Sequence, residues 1–219
     1  MNTNVTLLTV DDAGAMERNL VKIVEFMGGT IRLAKLARDQ RGEGATLDDL
    51  VPSGGCVIAH ASALENRLLP SLRQRNAHLL VYGFDSTQRS SDLLKTLTDD
   101  CLIGVEQQVS GEKIRVASCR EICRQVSSLE FETPASPARL VFKPSPKQGG
   151  WAALLSIGES PFFIRNRNDD RKWMLLAGDE IADLDAAVSP GASTTDFFAG
   201  LAPIMMFLRA ATPDARPAN

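Results

Sequence analysis

Hydrophobic residues along the first half of the chain come in short unbroken runs separated by helical patterns. Residues 4–10 (NVTLLTV), 56–59 (CVIA) and 78–82 (HLLVY) are rich in apolar or β-branched residues and bounded by turn residues, the mark of buried strands. After the first run, Met16, Leu20, Ile23, Val24 and Met27 recur at helical spacing, and Gly28-Gly29 stop the predicted helix over 15–27. Further helices are predicted over 64–75 and 91–97, and further strands over 101–105 and 113–117. Residues 30–36 fit a strand or a helix, 38–44 a polar loop, and 47–51 a short turn or helix. Strands that alternate with helices and read as continuous apolar runs imply a parallel sheet covered on both faces. The runs at 5–10, 56–59 and 78–82 belong at its centre.

The second half changes character. Residues 130–147 contain Pro134, Pro137, Pro144 and Pro146, a connection within which Leu140-Val141-Phe142 can still form a strand. Trp151–Ile157 is an apolar run between Gly149-Gly150 and Gly158, too short for a typical helix, and predicts a strand. Residues 162–167 and 171–177 flank Asn168-Asp169-Asp170, whose side chains suit a turn, and predict a β-hairpin. The helix expected over 195–211 is apolar nearly all round, so it belongs against the sheet. Ser193 and Asp196 stand at its start in the places of a capping pair. The expected fold class is α/β: a mostly parallel, doubly wound sheet with a C-terminal β-hairpin and a buried terminal helix. We expect one domain over 1–211, a sub-boundary at 131–150, and a frayed tail over 212–219.

Composition narrows the functional classes more than it names one. A chain of 219 residues can bury a substantial core, and 44% hydrophobic and 23% charged residues are ordinary for a globular protein. A net charge of −3 gives no electrostatic footprint for nucleic acid or an anionic membrane, and one Tyr and two Trp make a poor stacking surface for single strands. The start lacks a basic region followed by an apolar core, so no signal peptide is expected. The apolar segment over 197–211 is short for a bilayer span and carries Pro203 and Arg209. Four cysteines without a framework are expected as reduced thiols in a cytoplasmic protein.

Chemistry-bearing motifs are sparse. Asp179, Glu180, Asp183 and Asp185 follow the last buried strand, at the end of the sheet where ligands gather in open α/β folds. Such acids usually sit in water or cap helices, and no His or Cys lies nearby to complete a zinc set. His60 ends one predicted strand, and Asp11-Asp12 end another, so a parallel sheet brings them to the same edge. His78 opens a buried strand and reads as structural. Cys56 begins a strand and reads as a small buried hydrophobe rather than an elbow nucleophile, because glycines precede it but do not follow it. Cys119 and Cys123, four apart, match neither a zinc site nor a redox pair. No Ser/His/Asp set and no phosphate-binding glycine loop is present, so no catalytic residue, cofactor or metal is assigned. The candidate ligand-binding residues are Asp11, Asp12, His60, Asp179, Glu180 and Asp183.

Three resemblances rest on particular stretches of the chain. LLTVDD followed by an amphipathic helix and Gly-Gly is similar to the opening of a two-component receiver domain, but the strand CVIA ends in His60-Ala61-Ser62 where the phosphoacceptor Asp belongs. The strand-helix order of residues 4–105, together with GESPFFIRNRNDDRKWMLLAGDEI, resembles the class I glutamine amidotransferase-like group. That resemblance implies a flavodoxin-like sheet. It also implies a degenerate, non-catalytic member, because the group's Cys, His and Glu are needed in order and no His follows position 78. FFAGLAPIMMFLRAA is similar to the accessory region of bacterial polysaccharide deacetylase-like proteins. The implied function is a binding or regulatory module linked to polysaccharide processing, with a carbohydrate or a protein as partner. The alternatives are a degenerate receiver-like domain, or a hydrolase using the acidic cluster at 179–185 with His60.

Overall fold

The computed structural model describes residues 3–9, 14–35, 51–64, 68–108, 113–116, 129–132, 139–146, 149–167, 173–179 and 200–211. Its elements in chain order are β1 (Asn4–Thr9), α1 (Ala15–Phe26), β2 (Thr30–Lys35), β3 (Cys56–His60), α2 (Leu69–Gln74), β4 (His78–Phe84) and α3 (Gln88–Thr98). There follow β5 (Leu102–Gln108), β6 (Lys113–Val116), β7 (Leu129–Glu132), β8 (Arg139–Pro144), β9 (Trp151–Ile157), β10 (Ser160–Asn166), β11 (Trp173–Ala177) and α4 (Ala202–Ala211).

Among the described residues nine strands form one sheet in the order β2-β1-β3-β4-β11-β10-β9-β6-β7. The pairs from β2 through β11 are parallel, and those from β11 through β7 antiparallel. The order 2-1-3-4 at the parallel end is the flavodoxin-like one. The three runs expected at the centre each have a strand on both sides. The ambiguous segment after α1 is the strand β2, which lies at the outer edge and is mostly exposed.

The predicted hairpin forms with Phe163 opposite Leu176 and Arg165 opposite Met174. Its buried arm, β11, enters the sheet beside β4, where Trp173 pairs with Leu79 and Leu175 with Val81. All residues of β4 and β11 are buried, as strands flanked on both sides require. Trp173 locks this seam: its indole N–H donates to the Ala77 carbonyl at 3.1 Å, and the Arg73 guanidinium lies 5.3 Å from the ring centroid.

Two readings of the sequence need adjustment. The run beginning at Leu102 is a strand, but it leaves the main sheet and pairs antiparallel with β8 in a separate two-stranded sheet. Its burial alternates, with Ile103 and Glu106 exposed and Leu102 and Gly104 buried, which suits a strand covered on one face only. Phe142 of β8 makes an edge contact with Phe84 of the main sheet, with ring centroids 5.8 Å apart. The helix expected over 64–75 is described only as Leu69–Gln74, with Pro70 in its first turn, where a missing N–H costs nothing. The terminal helix packs against α1 and is buried along most of its length. Its expected cap at Ser193 and Asp196 lies outside the described residues, as do Cys119, Cys123 and the tail. Among the described residues no helix is long and apolar enough to cross a membrane.

Cys56 is 4% exposed at the start of β3, between β1 and β4. A bulky maleimide is therefore expected to leave Cys56 unmodified in the folded protein and to react on unfolding in urea. Mass mapping of the alkylated peptides checks this, and rapid labelling of folded Cys56 would contradict the packing.

Candidate functional site

In the strand order 2-1-3-4, β1 has β2 on one side and β3 on the other, so the chain's direction of travel reverses there. Sheets of this kind open a crevice at the carboxyl ends of the two strands flanking that reversal. β3 ends in His60, and the loop after β1 leads to α1, whose third residue is Glu17. The Glu17 carboxylate reaches back to accept the Gly14 N–H at 2.8 Å, which caps the start of α1.

His60 is positioned from three directions. Its strand partner Tyr82 stands beside it on the same face, with ring centroids 5.1 Å apart and planes nearly perpendicular. Its Nδ1 accepts the backbone N–H of Ser62 at 3.1 Å and lies 2.7 Å from Ser62 Oγ. Accepting the amide assigns the hydrogen of the neutral ring to Nε2. The third contact is with Gly83, where an added Cβ would lie 2.1 Å from Nε2. Gly83 has φ +76 and donates its N–H to the Gly178 carbonyl at 2.6 Å. The pairing of β4 with β11 slips in register at this point, so a glycine bulge ends the seam beside the imidazole.

Burial pushes the His60 pKa below its usual value of 6.5, while Asp179, Glu17 and Asp85 draw it back upward. Burial raises the Tyr82 phenol far above its usual range, and Glu17 and Asp179 add to the rise. Tyr82 is fully buried, and its hydroxyl has no hydrogen-bond partner among the described residues. For Asp85, burial acts upward, but hydrogen bonds from Thr87 and Ser90 and the proximity of His60 hold it below the usual carboxylate value. Its Oδ1 accepts both the Thr87 N–H at 3.0 Å and the Thr87 hydroxyl at 2.5 Å, at the turn that starts α3. Arg89 on α3 donates to the Ser62 carbonyl at 2.9 Å and ties the turn after β3 to the same helix. Across a cleft of about 30 Å³, room for one water, Asp179 shares its walls with Arg139 of β8.

Of the residues singled out in the sequence, His60 and Asp179 meet at this edge, and Asp179 is exposed. Asp11, Asp12, Glu180 and Asp183 lie outside the described residues. Glu17, Tyr82, Asp85 and Arg139 went unnoticed in the sequence. Glu17 carries a signal that was available, an acid in the first turn of a helix that follows the first strand. Tyr82 reads only as one more apolar residue of a buried strand. Among the described residues no three His, Cys, Asp or Glu side chains are grouped to hold a metal.

No protein-family model matches the chain, and no curated protein is similar to it in sequence. Solved structures are similar in fold. PurLQS from Thermotoga maritima is similar over 96% of this chain and 98% of that one, with 10% identity and a TM-score of 0.54. Agd3, described as a novel carbohydrate deacetylase, is similar over 80% of this chain and 29% of that one, with 10% identity and a TM-score of 0.52. At such identity the likeness is one of architecture.

Two outcomes follow from the His60 environment. Gly83→Ala is expected to destabilise the protein by about 2 kcal/mol or more, since it combines a strained φ with a collision against the ring; urea unfolding measures it, and a neutral effect would contradict the contact. A histidine whose folded pKa is lowered contributes stability above its unfolded pKa of 6.5 that is lost as pH falls through the folded value. His60→Gln is therefore expected to flatten the decline in unfolding free energy between about pH 7 and pH 5. Equal slopes for variant and parent would show that the imidazole is not held neutral.

Proposed function

We propose that the protein is a non-catalytic module of the glutamine amidotransferase-like type, and that it binds a hydroxyl-rich ligand, a carbohydrate, at the carboxyl edge of its parallel strands. One observation carries the reading: β3, β4 and the end of β11 bring His60, Tyr82 and Asp179 to the carboxyl edge of the parallel strands, with Glu17 of α1 close enough to act on the imidazole. Carboxylate acceptors beside an imidazole and a phenol match the mixed donors and acceptors of a sugar. The architectural likeness to PurLQS over nearly the whole of both chains supports the amidotransferase-like frame. The likeness to part of Agd3 supports a link to polysaccharide processing.

The non-catalytic character rests on the junctions where a nucleophile would sit. An elbow nucleophile stands on the turn between a strand and the following helix. After β4 that turn holds Asp85, and its carboxylate is engaged by the N–H and hydroxyl of Thr87, the N-cap of α3. Cys56 lies at the opposite end of β3 from His60.

The 2.7 Å approach of Ser62 Oγ to His60 Nδ1 favours a second reading, a hydrolase built on that pair. Against it, the single Nδ1 lone pair also receives the Ser62 amide, and burial weakens the ring as a base. A fluorophosphonate probe separates the readings: labelling at Ser62 that is lost in Ser62→Ala would establish the hydrolase.

Titration calorimetry against a panel of neutral and acidic oligosaccharides, with divalent cations in parallel, is expected to show saturable heat with a sugar. Asp179→Ala should weaken that binding at least tenfold with little change in melting temperature, because the side chain is exposed. Tyr82→Phe should leave stability unchanged or higher by about 1 kcal/mol, since it deletes an unpartnered buried hydroxyl. A large loss of stability in either variant would mark the residue as structural. Ammonia release from glutamine would overturn the non-catalytic assignment.

A further inference from the structure

A second concavity lies at the other end of the fold. Helix α3 starts at the carboxyl end of β4 and runs back, so Cys101 and Leu102 after it stand near the amino ends of the parallel strands. Trp151 pairs with Asn166 at that same end of the β9–β10 hairpin, beyond the register where Arg165 faces Met174. Between these strands and the end of β8 is a groove of about 330 Å³, a size within the range of small-molecule sites.

Among the described residues the walls of the groove are mostly apolar, with one charge. Leu102, Ile164, Pro144 and Pro161 form its body, and the half-buried Trp151 stands along one side. Ala153, paired with Ile164 on the same face of the hairpin, keeps the floor clear where a larger side chain would fill it. Gly149 lets the backbone lie against the Cys101 thiol at one end, since an added Cβ would come 1.8 Å from its sulfur. Among the described residues the charged one in the lining is Arg167, and none of them that lines the groove is a carboxylate. Arg167 is exposed, and its guanidinium has no ion-pair or hydrogen-bond partner among the described residues. Its backbone N–H donates to the Gly150 carbonyl, which fixes the base of the side chain beside Trp151.

We propose that this groove binds a small amphipathic carboxylate, its apolar body against Trp151, Leu102 and Ile164 and its anion on Arg167. The complementarity is that of a preformed apolar slot with a single unpaired cation at its rim. A guanidinium binds a carboxylate through two parallel N–H donors, which also orients the ligand along the slot. This site shares no side chain with the His60 edge, so the two readings stand or fall separately.

Trp151 provides the readout, because Trp173 is 1% exposed and packed under Arg73. The full chain would be titrated with 4-phenylbutyrate, indole-3-propionate and octanoate, with 4-phenylbutyramide as the uncharged control. The expected result is saturable change in Trp151 emission with at least one of the acids, and binding of the matching amide weaker by roughly tenfold or more. Arg167→Gln should reduce the acid to the level of the amide, and Trp151→Phe should remove the signal. As a second measurement, a saturating acid should slow alkylation of Cys101, followed by mass mapping of its peptide. No saturation by any acid at millimolar concentration would overturn the proposal, as would equal binding of acid and amide. So would an Arg167→Gln variant that binds the acid unchanged while its circular dichroism matches the parent.

Discussion

The parallel seam between β4 and β11 is the constraint on which the other elements depend. Its two strands are fully buried, so neither is stable with that edge open to water. Its lock, the hydrogen bond from Trp173 to Ala77, joins residues 96 apart in sequence. Closing a loop of that length costs entropy that grows only slowly with length, while each large side chain buried returns roughly 1.5–3 kcal/mol. The seam is also where the sheet changes from parallel to antiparallel pairing. Its carboxyl end, the Gly83–Gly178 bulge, sets the His60 ring in place, and its amino end holds Trp173 under Arg73.

This seam explains why the molecule carries two different kinds of concavity. The parallel half ends in polar turns, because each strand there hands over to a helix or loop at the same edge, and the titratable groups of several elements converge. The antiparallel half has no such common edge. Its hairpin is overlaid by the β5–β8 pair, and the gap left between two imperfectly matched layers is apolar, with small residues as its floor.

Much of this was legible in the chain. The runs NVTLLTV, CVIA and HLLVY have no polar face to offer water, so their place inside a parallel sheet follows from composition alone. The position of His60 at a strand's end was equally plain, and with it the edge that gathers Asp179. Other features were not readable, for physical reasons. Leu102–Gln108 has the local pattern of a strand, and nothing local says which sheet it joins; that is decided by Phe142 against Phe84 and by β8, which lies further along the chain. Tyr82 becomes a site residue only because a cross-strand register puts it beside His60. Arg167 and Trp151 are brought to one groove by the hairpin's pairing, and no spacing in sequence signals that.

The order of the strands has a consequence for the making of the protein. HLLVYGF of β4 emerges from the ribosome long before β11, and at roughly 5–20 residues per second the partner strand follows on the order of 5–20 s later. During that interval the growing chain has β1, β3 and β4 available to pair, with an apolar edge facing outward, the kind of template that recruits other chains. A ribosome stalled between the two strands, or a protease cut in the proline-rich stretch at 134–146, would release a half-sheet with that edge bare. How long that edge stays bare is thus a matter of timing, set by the 96 residues that separate Trp173 from its partner Ala77.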